Sequence, residues 1–397
     1  MVLKADSAVY GGYVIARDGG VVFVKGAVPG ELVEVSVTEK KKDYCLARVT
    51  DVIEPSPFRV EPPCRHFGEC GGCQLQFISY EEQVRMKEEI LLDCMRRIGG
   101  LDVKLDPPVT GGAFNYRRRA QFKVSKEGAI GFYREGTRDV VPIGECPLMT
   151  GRINSALKNL RACNLSGIKE VHVTCGDCMV ALIKGRGFDG AQAEAFLGAG
   201  FSGVAFEDRS RSGAGHVGLE LQPGLTYTVS PWAFFQSNWD LNVMAAGIIA
   251  DGLMPLEGKK VIYLYAGAGN FALPLAREAK EVVAVEENPD SIKDGERNLK
   301  INNIGNFRFI NQKAEKANLK GDIVIVDPPR PGLADRVVKM LLEASPEKIA
   351  YVSCNPSTLA RDLKKLALLY DITSIRMMDF FPHTYHIETL AFLTRKR

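Results

Sequence analysis

The hydrophobic positions of this chain change period along its length. Near the N-terminus, short apolar and polar alternations occupy residues 7–16, 21–24, 32–38 and 46–52. They are separated by Asp18-Gly19-Gly20, by Pro29-Gly30 and by the charged run 39–43. Short strands at such regular spacing predict a small β-barrel over residues 1–55. Pro55 to Pro63 then reads as an extended linker. From Tyr80 to Ile98 the period becomes helical and stops at Gly99 and Gly100, with Ser79 and Glu82 as a candidate capping pair. Strand patterning returns at 121–124, 130–134 and 169–183, the last with a turn at Gly176 and Asp177.

Beyond residue 260 the pattern becomes one of continuous apolar runs, as expected of strands buried on both faces. The run 260–264 leads into the turn Gly267-Ala268-Gly269-Asn270 and a predicted helix over 271–279. The run 282–285 ends at Glu286, the run 322–326 at Asp327-Pro328-Pro329-Arg330, and the run 349–353 at Cys354-Asn355-Pro356. Residues 372–378 and 388–393 suggest an antiparallel hairpin closing a mostly parallel sheet. The expected fold class is therefore α/β. A Rossmann-like domain over 231–397 follows a central β-rich domain over 56–230, and the helix 80–98 is expected to pack on the C-terminal domain.

A net charge of +3 does not by itself announce a nucleic-acid partner. Basic character is local: Lys25, Lys40, Lys41, Lys42 and Arg48 in the first unit, and Arg117, Arg118 and Arg119 beside Tyr116 in the second, where phosphate contact and base stacking are expected. Ten cysteines in 397 residues are too few for a disulfide scaffold. No apolar run approaches the roughly 20 residues of a spanning helix, and a cytoplasmic monomer with no membrane contact and no stable protein partner is expected.

Each C-terminal strand delivers a polar group to the edge where open α/β sheets bind ligands. Glycines permit close backbone approach to a nucleoside cofactor, and an acid such as Glu286 can accept hydrogen bonds from ribose hydroxyls. The two prolines after Asp327 stiffen the loop that carries it. Cys354 is placed as a nucleophile would be. A second constellation lies at Cys64, Cys70 and Cys73, with Cys146 followed by Pro147. Four thiolates suit either an iron-sulfur cluster or a structural zinc. Cys175 and Cys178 fall on a strand pair and read as structural, and Cys45, Cys94 and Cys163 as packing thiols.

The glycine turn, the Asp327-Pro-Pro-Arg330 loop, Ser353-Cys-Asn-Pro356 and the His386-Ile-Glu388 element, in this order, resemble the RNA uracil-C5 methyltransferases over the last 165 or so residues. The stretch Phe234-Phe-Gln236 is similar to one in that family. The resemblance implies S-adenosylmethionine as cofactor, held by Gln236, Tyr265, Gly267, Asn270, Glu286, Lys313 and Asp327; Lys313 stands where family members often have an acid. It implies catalysis by Cys354 adding at uracil C6 with a lowered pKa, by Glu388 removing the C5 proton, and by Asp327 and Gln236 holding the base and cofactor. His383 and His386 are expected as loop or RNA-contact residues. For the cysteines it implies a [4Fe-4S] cluster; a structural role is expected for it because Cys64 to Cys73 lie far along the chain from the reacting groups. The stretch 29–35 resembles the TRAM domain, an OB-like RNA-binding module, which implies an OB-like β-barrel over residues 1–55. The expected substrate is RNA, 23S rRNA in preference to the tRNA T-loop; a non-catalytic iron-sulfur RNA-binding protein is the alternative. DNA cytosine-C5 enzymes carry their cysteine in a different context, and enzymes of exocyclic amines need none at this position.

Overall fold

The structure is a computed structural model that describes residues 1–185 and 187–397. Three large sheets follow one another along the chain. The first has the order Val2–Lys4, Leu32–Lys40, Tyr44–Glu54, Val21–Lys25, Tyr13–Arg17, Ser7–Val9. Alternate residues such as Val14, Ala16, Val22, Val24, Val33 and Val35 fill its own small core. The expected barrel is an open, curled sheet, because Val2–Lys4 and Ser7–Val9 each pair with a single neighbour and not with one another. The run expected as one strand over 7–16 is split in two. Gly11 and Gly12 adopt φ of 104° and 80°, a region open to residues without Cβ, and turn the chain back at Tyr10.

The second sheet runs Arg211–Gly213, Gly203–Phe206, Met179–Lys184, Glu170–Cys175, Arg119–Val124, Ile130–Tyr133, Val140–Pro142. Helices Gly151–Leu160 and Gly190–Gly198 cover it with Ile153, Leu157, Leu160 and Phe196.

The third sheet has the order Phe307–Asn311, Glu281–Glu286, Lys260–Leu264, Ile323–Val326, Lys348–Ser353, Glu388–Arg395, Tyr370–Met378. Its first five strands are parallel, and Glu388–Arg395 inserts antiparallel. Successive residues of Lys260–Leu264 serve opposite cores. Val261 and Tyr263 face helix Trp239–Leu253 and the hairpin Val217–Gln222 with Leu225–Val229. Ile262 and Leu264 face Asp335–Ala344, Pro356–Leu366 and the earlier helix Tyr80–Cys94. The packing of this sheet thus begins ahead of residue 231, since the hairpin contributes Leu219, Leu221, Tyr227 and Val229 to its core.

Two local expectations fail for identifiable reasons. The segment 271–279 is a chain of turns with one short 3-10 piece, Pro274–Arg277, because Pro274 has no amide proton and its ring would clash inside an α-helix. Ser79 makes no side-chain cap at Tyr80–Cys94, and Glu82 instead accepts from Arg85 at 2.7 Å. That helix ends through a π turn, Met95–Gly99, and Gly100 at φ 64°. Among the described residues no helix is long and apolar enough to cross a membrane.

Candidate active site

Register alone brings the chemistry together. Ser353 pairs with Thr389 in antiparallel ladder, so Cys354, one residue on, comes level with Glu388, one residue back. Tyr265, Glu286 and Asp327 end or directly follow three adjacent parallel strands, and so share the same edge. Above that edge lies a cavity of about 990 Å³ lined by Gln236, Tyr265, Gly267, Asn270, Glu286, Lys313, Asp327, Cys354 and Glu388.

The glycine turn is built around Glu286. One carboxylate oxygen accepts the Gly267 amide at 2.8 Å and the other the Asn288 amide at 2.8 Å. Gly267 and Gly269 have φ of 53° and 89°, and a Cβ on Gly269 would press on the Phe309 ring at 3.1 Å. Tyr265 takes φ 59°, which is strained for an aromatic residue. Asn270 is locked by exchanging side-chain amide bonds of 2.6 and 2.9 Å with Asn242.

The reacting end of the cavity is a crowd of acids in a dry setting. Burial pushes Asp327 up to about 7, helped by the charge of Glu286. Burial and the charge of Asp327 push Glu388 up to about 8, against the opposing pull of Arg330. Cys354 is pushed up to about 12 by burial, then by Glu388 and Asp327, with Arg330 acting against them. The expectation of a lowered thiol pKa is thus reversed, because the nearest charges are carboxylates and the site is desolvated.

Several contributors were not singled out from sequence. Tyr10, on the turn of the first sheet, donates to the Cys354 carbonyl at 3.3 Å and stands edge-on to Tyr385, ring centroids 5.8 Å apart. Arg330 is the cation of the site, and its place in the Asp327-Pro-Pro-Arg330 loop was the available signal. Phe234 is 62% exposed at the cavity wall.

The basic patch at 117–119 is largely turned inward. Tyr116 is 5% exposed and donates to the Pro382 carbonyl at 3.1 Å, so it offers no stacking face. Arg117 lies among the thiols of Cys70, Cys73 and Cys146 and over the Phe381 ring. Arg118 pairs with Asp240, and Arg119 stacks over Phe234 and Phe235. In the first sheet Lys25 and Arg48 pair with Glu135, and Lys41 with Glu39, while Lys40 and Lys42 are exposed. His383, expected as a loop or RNA contact, is buried at φ 65°, and burial lowers it to about 4. His386 is likewise lowered to about 4 by burial and by Arg330.

The four cysteines of the second constellation form one electrostatic neighbourhood. Cys73 feels Cys146 and Cys70, and Cys146 feels Cys64 and Cys70. Burial pushes Cys70 up, Cys73 to about 12 and Cys146 to about 11. Gln76 donates to the Cys73 sulfur at 3.2 Å, and a Cβ on Gly71 would meet the Tyr133 carbonyl at 3.0 Å, so the loop sits tightly on the second sheet. Among the described residues no three His, Cys, Asp or Glu are arranged to hold a single metal ion.

The family described as tRNA (uracil-5-)-methyltransferase matches residues 222–319 and 316–396. The 23S rRNA (uracil(1939)-C(5))-methyltransferase of Photorhabdus laumondii is 34% identical, covering 100% of this chain and 96% of its own. This chain belongs to the RNA uracil-C5 methyltransferases. The methyltransferase is also 37% identical to an uncharacterized RNA methyltransferase of Aquifex aeolicus, over 99% of this chain and 98% of the relative. In structure it resembles the Pyrococcus abyssi tRNA (uracil-54, C5)-methyltransferase, solved with S-adenosyl-L-homocysteine, at TM-score 0.79 and 26% identity over 99% and 100% of the two chains. The methyltransferase is therefore an S-adenosylmethionine-dependent enzyme of RNA uridine C5.

Proposed function

We propose that the methyltransferase modifies a uridine of 23S rRNA through a covalent adduct of Cys354 with uracil C6, Glu388 then removing the C5 proton. The observation that carries this reading is the juxtaposition of Cys354 and Glu388 across the ladder, both beside Asp327 at one end of the cavity. Uracil C5 is a poor nucleophile until a group adds at C6. Bond formation from the Cys354 sulfur to C6 makes C5 an enolate carbon that takes up the methyl group. Loss of H5 to the Glu388 carboxylate restores the double bond and expels the thiolate.

In the RNA-free state Cys354 is a thiol and Glu388 is mostly protonated at neutral pH. The acids stabilise neither anion, so both must ionise when the site fills. S-adenosylmethionine would supply the methyl group and a positive charge beyond that of Arg330. Glu286 and the backbone of Gly267 suit its ribose and amino-acid portions, while Asp327 and Gln236 offer an acceptor and an amide to groups near the reacting carbon.

Four neighbouring thiols beside a half-buried guanidinium suit the chemistry of a [4Fe-4S] cluster. Cys64, Cys70, Cys73 and Cys146 would ligate it and Arg117 would offset its negative charge. The curled first sheet would serve as a TRAM-like contact for RNA, with Lys40 and Lys42 facing solvent. Full-length likeness at 34% identity to a 23S rRNA enzyme favours rRNA, and the T-loop uridine of tRNA is the competing substrate, after the Pyrococcus likeness.

The test incubates the protein and S-adenosylmethionine with 5-fluorouridine transcripts of 23S rRNA and tRNA. Fluorine cannot leave to Glu388 as a proton does, so an adduct that survives denaturation is expected on rRNA and not with Cys354→Ala. An adduct on tRNA alone would reassign the substrate, and none on either RNA with cofactor bound would overturn the mechanism.

A further inference from the structure

The loop between the last two strands, residues 379–387, carries Glu388 at its end, and Met378 pairs with Glu388 across its mouth. Several backbone groups of this loop are held by residues outside its own sheet. The buried Lys87 ammonium contacts the Asp379 carboxylate at 2.7 Å and the Phe381 carbonyl at 3.1 Å. The Lys87 and Asp379 side chains are 1% and 0% exposed, so this pair is sealed from water. Gln83 accepts the His383 amide at 2.9 Å, while its own amide reaches the His383 ring at 3.1 Å and donates to the Ile78 carbonyl at 2.8 Å. The amides of Gln74 and Leu75, directly after Cys73, both donate to the His383 carbonyl at 3.0 Å. Tyr116, adjacent to Arg117, holds the Pro382 carbonyl.

We propose that Lys87 and Gln83 are positioning residues for Glu388, setting the height and tilt of the 379–387 loop so that the carboxylate meets H5 of the adduct. Lys87 and Gln83 lie one turn apart on helix Tyr80–Cys94, which also packs on Pro356–Leu366, the helix that starts two residues after Cys354. One rigid element therefore indexes both partners of the reaction, Cys354 through the helix after it and Glu388 through the loop before it. The left-handed His383 is the costly point of the loop, and Gln83 secures both its amide and its ring. The attachment at Gln74 and Leu75 gives the cysteine segment a direct mechanical path to the same loop.

The inference rests on Glu388 being the base, and its test separates the two ideas. Removing Lys87 alone would strand a buried carboxylate, so the principal variant is the double change Lys87→Met with Asp379→Asn, which keeps both side-chain sizes without leaving a charge. Gln83→Leu is the second variant, and thermal unfolding checks that both are folded. With natural, unfluorinated substrate RNA, single-turnover assays follow the adduct and the released methylated RNA separately. We expect adduct formation near the wild-type rate, with release slowed about tenfold or more and adduct accumulating. That is part of the roughly 10²–10⁴-fold that a placed base contributes. Glu388→Gln should show the same pattern more strongly. If adduct and product fall together in the folded variants, or neither changes, the positioning role is wrong. If Glu388→Gln itself accumulates no adduct while Cys354→Ala forms none, the base assignment fails, and the positioning role falls with it.

Discussion

Glu388 stands buried beside Cys354 at the open end of one antiparallel ladder, and its carboxylate adds to the burial that pushes the thiol up to about 12. The pair most suited to make and resolve a covalent adduct is thus electrostatically idle without substrate. An exposed thiolate invites oxidation and alkylation, whereas a buried thiol among acids does neither until the site is charged and filled.

That arrangement makes Cys354 slow to alkylate in the free protein. At pH 8 only about one part in 10⁴ is thiolate for a pKa near 12. Iodoacetamide labelling, followed by mass spectrometry of the Cys354 peptide, should rise about tenfold per pH unit up to the limit of stability. Glu388→Gln or Asp327→Asn removes a like charge and should raise the rate about three- to tenfold at fixed pH. A plateau near neutral pH would show a thiolate already present.

Glu388 also carries a stability signature. Its pKa is raised from 4.5 to about 8 by burial and Asp327, so the folded state holds this proton more tightly than the unfolded chain does. The resulting contribution is fully present below about pH 4.5 and is lost as pH rises through about 8. Glu388→Gln should then match the wild type near pH 4.5 and exceed it above pH 8. The gain is on the order of 2–5 kcal/mol. Urea unfolding at the two pH values measures it. Equal stabilities above pH 8 would mean that the site admits water to the carboxylate.

The strand ends were legible because each is a local signal: an apolar run that stops on one polar residue. Glu286, Asp327 and Cys354 are placed at the sheet edge by that rule alone, whereas the hairpin pattern only starts a strand at Glu388 and the family resemblance singles it out. Failures came where distant parts of the chain decide the outcome. Tyr10 reaches Cys354 from 344 residues away, and no periodicity announces it. Tyr116 and Arg117 look like surface residues in a basic run, yet the loop 379–387 buries Tyr116 and Arg117 is half-buried beside the cysteines. The direction of the thiol shift depends on two carboxylates that only folding assembles. Pro274 was visible, and its veto on the helix 271–279 outweighed the apolar pattern.

Glu286 should matter to affinity more than to the chemical step. Its carboxylate fixes the glycine turn through Gly267 and Asn288 and lines the cavity. Glu286→Ala leaves two amides without partners and removes an acceptor from the cofactor pocket, which costs about 1.5–3 kcal/mol. Calorimetric titration with S-adenosyl-L-homocysteine should show binding weakened by roughly 10- to 150-fold. Unaltered affinity would remove Glu286 from the cofactor site.

Cys73 and Cys146 provide the sharpest separation of a metal-bearing site from a cluster of packing thiols. As packing thiols, both are small and half-buried, and Ser in their place would cost little, within about 1 kcal/mol. As cluster ligands they hold the loop that follows Cys73, and with it the amides of Gln74 and Leu75 on the His383 carbonyl. Without the cluster, Arg117 is left as a half-buried cation facing neutral thiols. Protein purified without oxygen should contain iron and sulfide in equal amounts, and Cys73→Ser or Cys146→Ser should lose both together. The same variants should unfold at a temperature at least several degrees lower, as expected for a loss of a few kcal/mol. Iron-free protein with unchanged melting in both variants would return these four cysteines to the packing class.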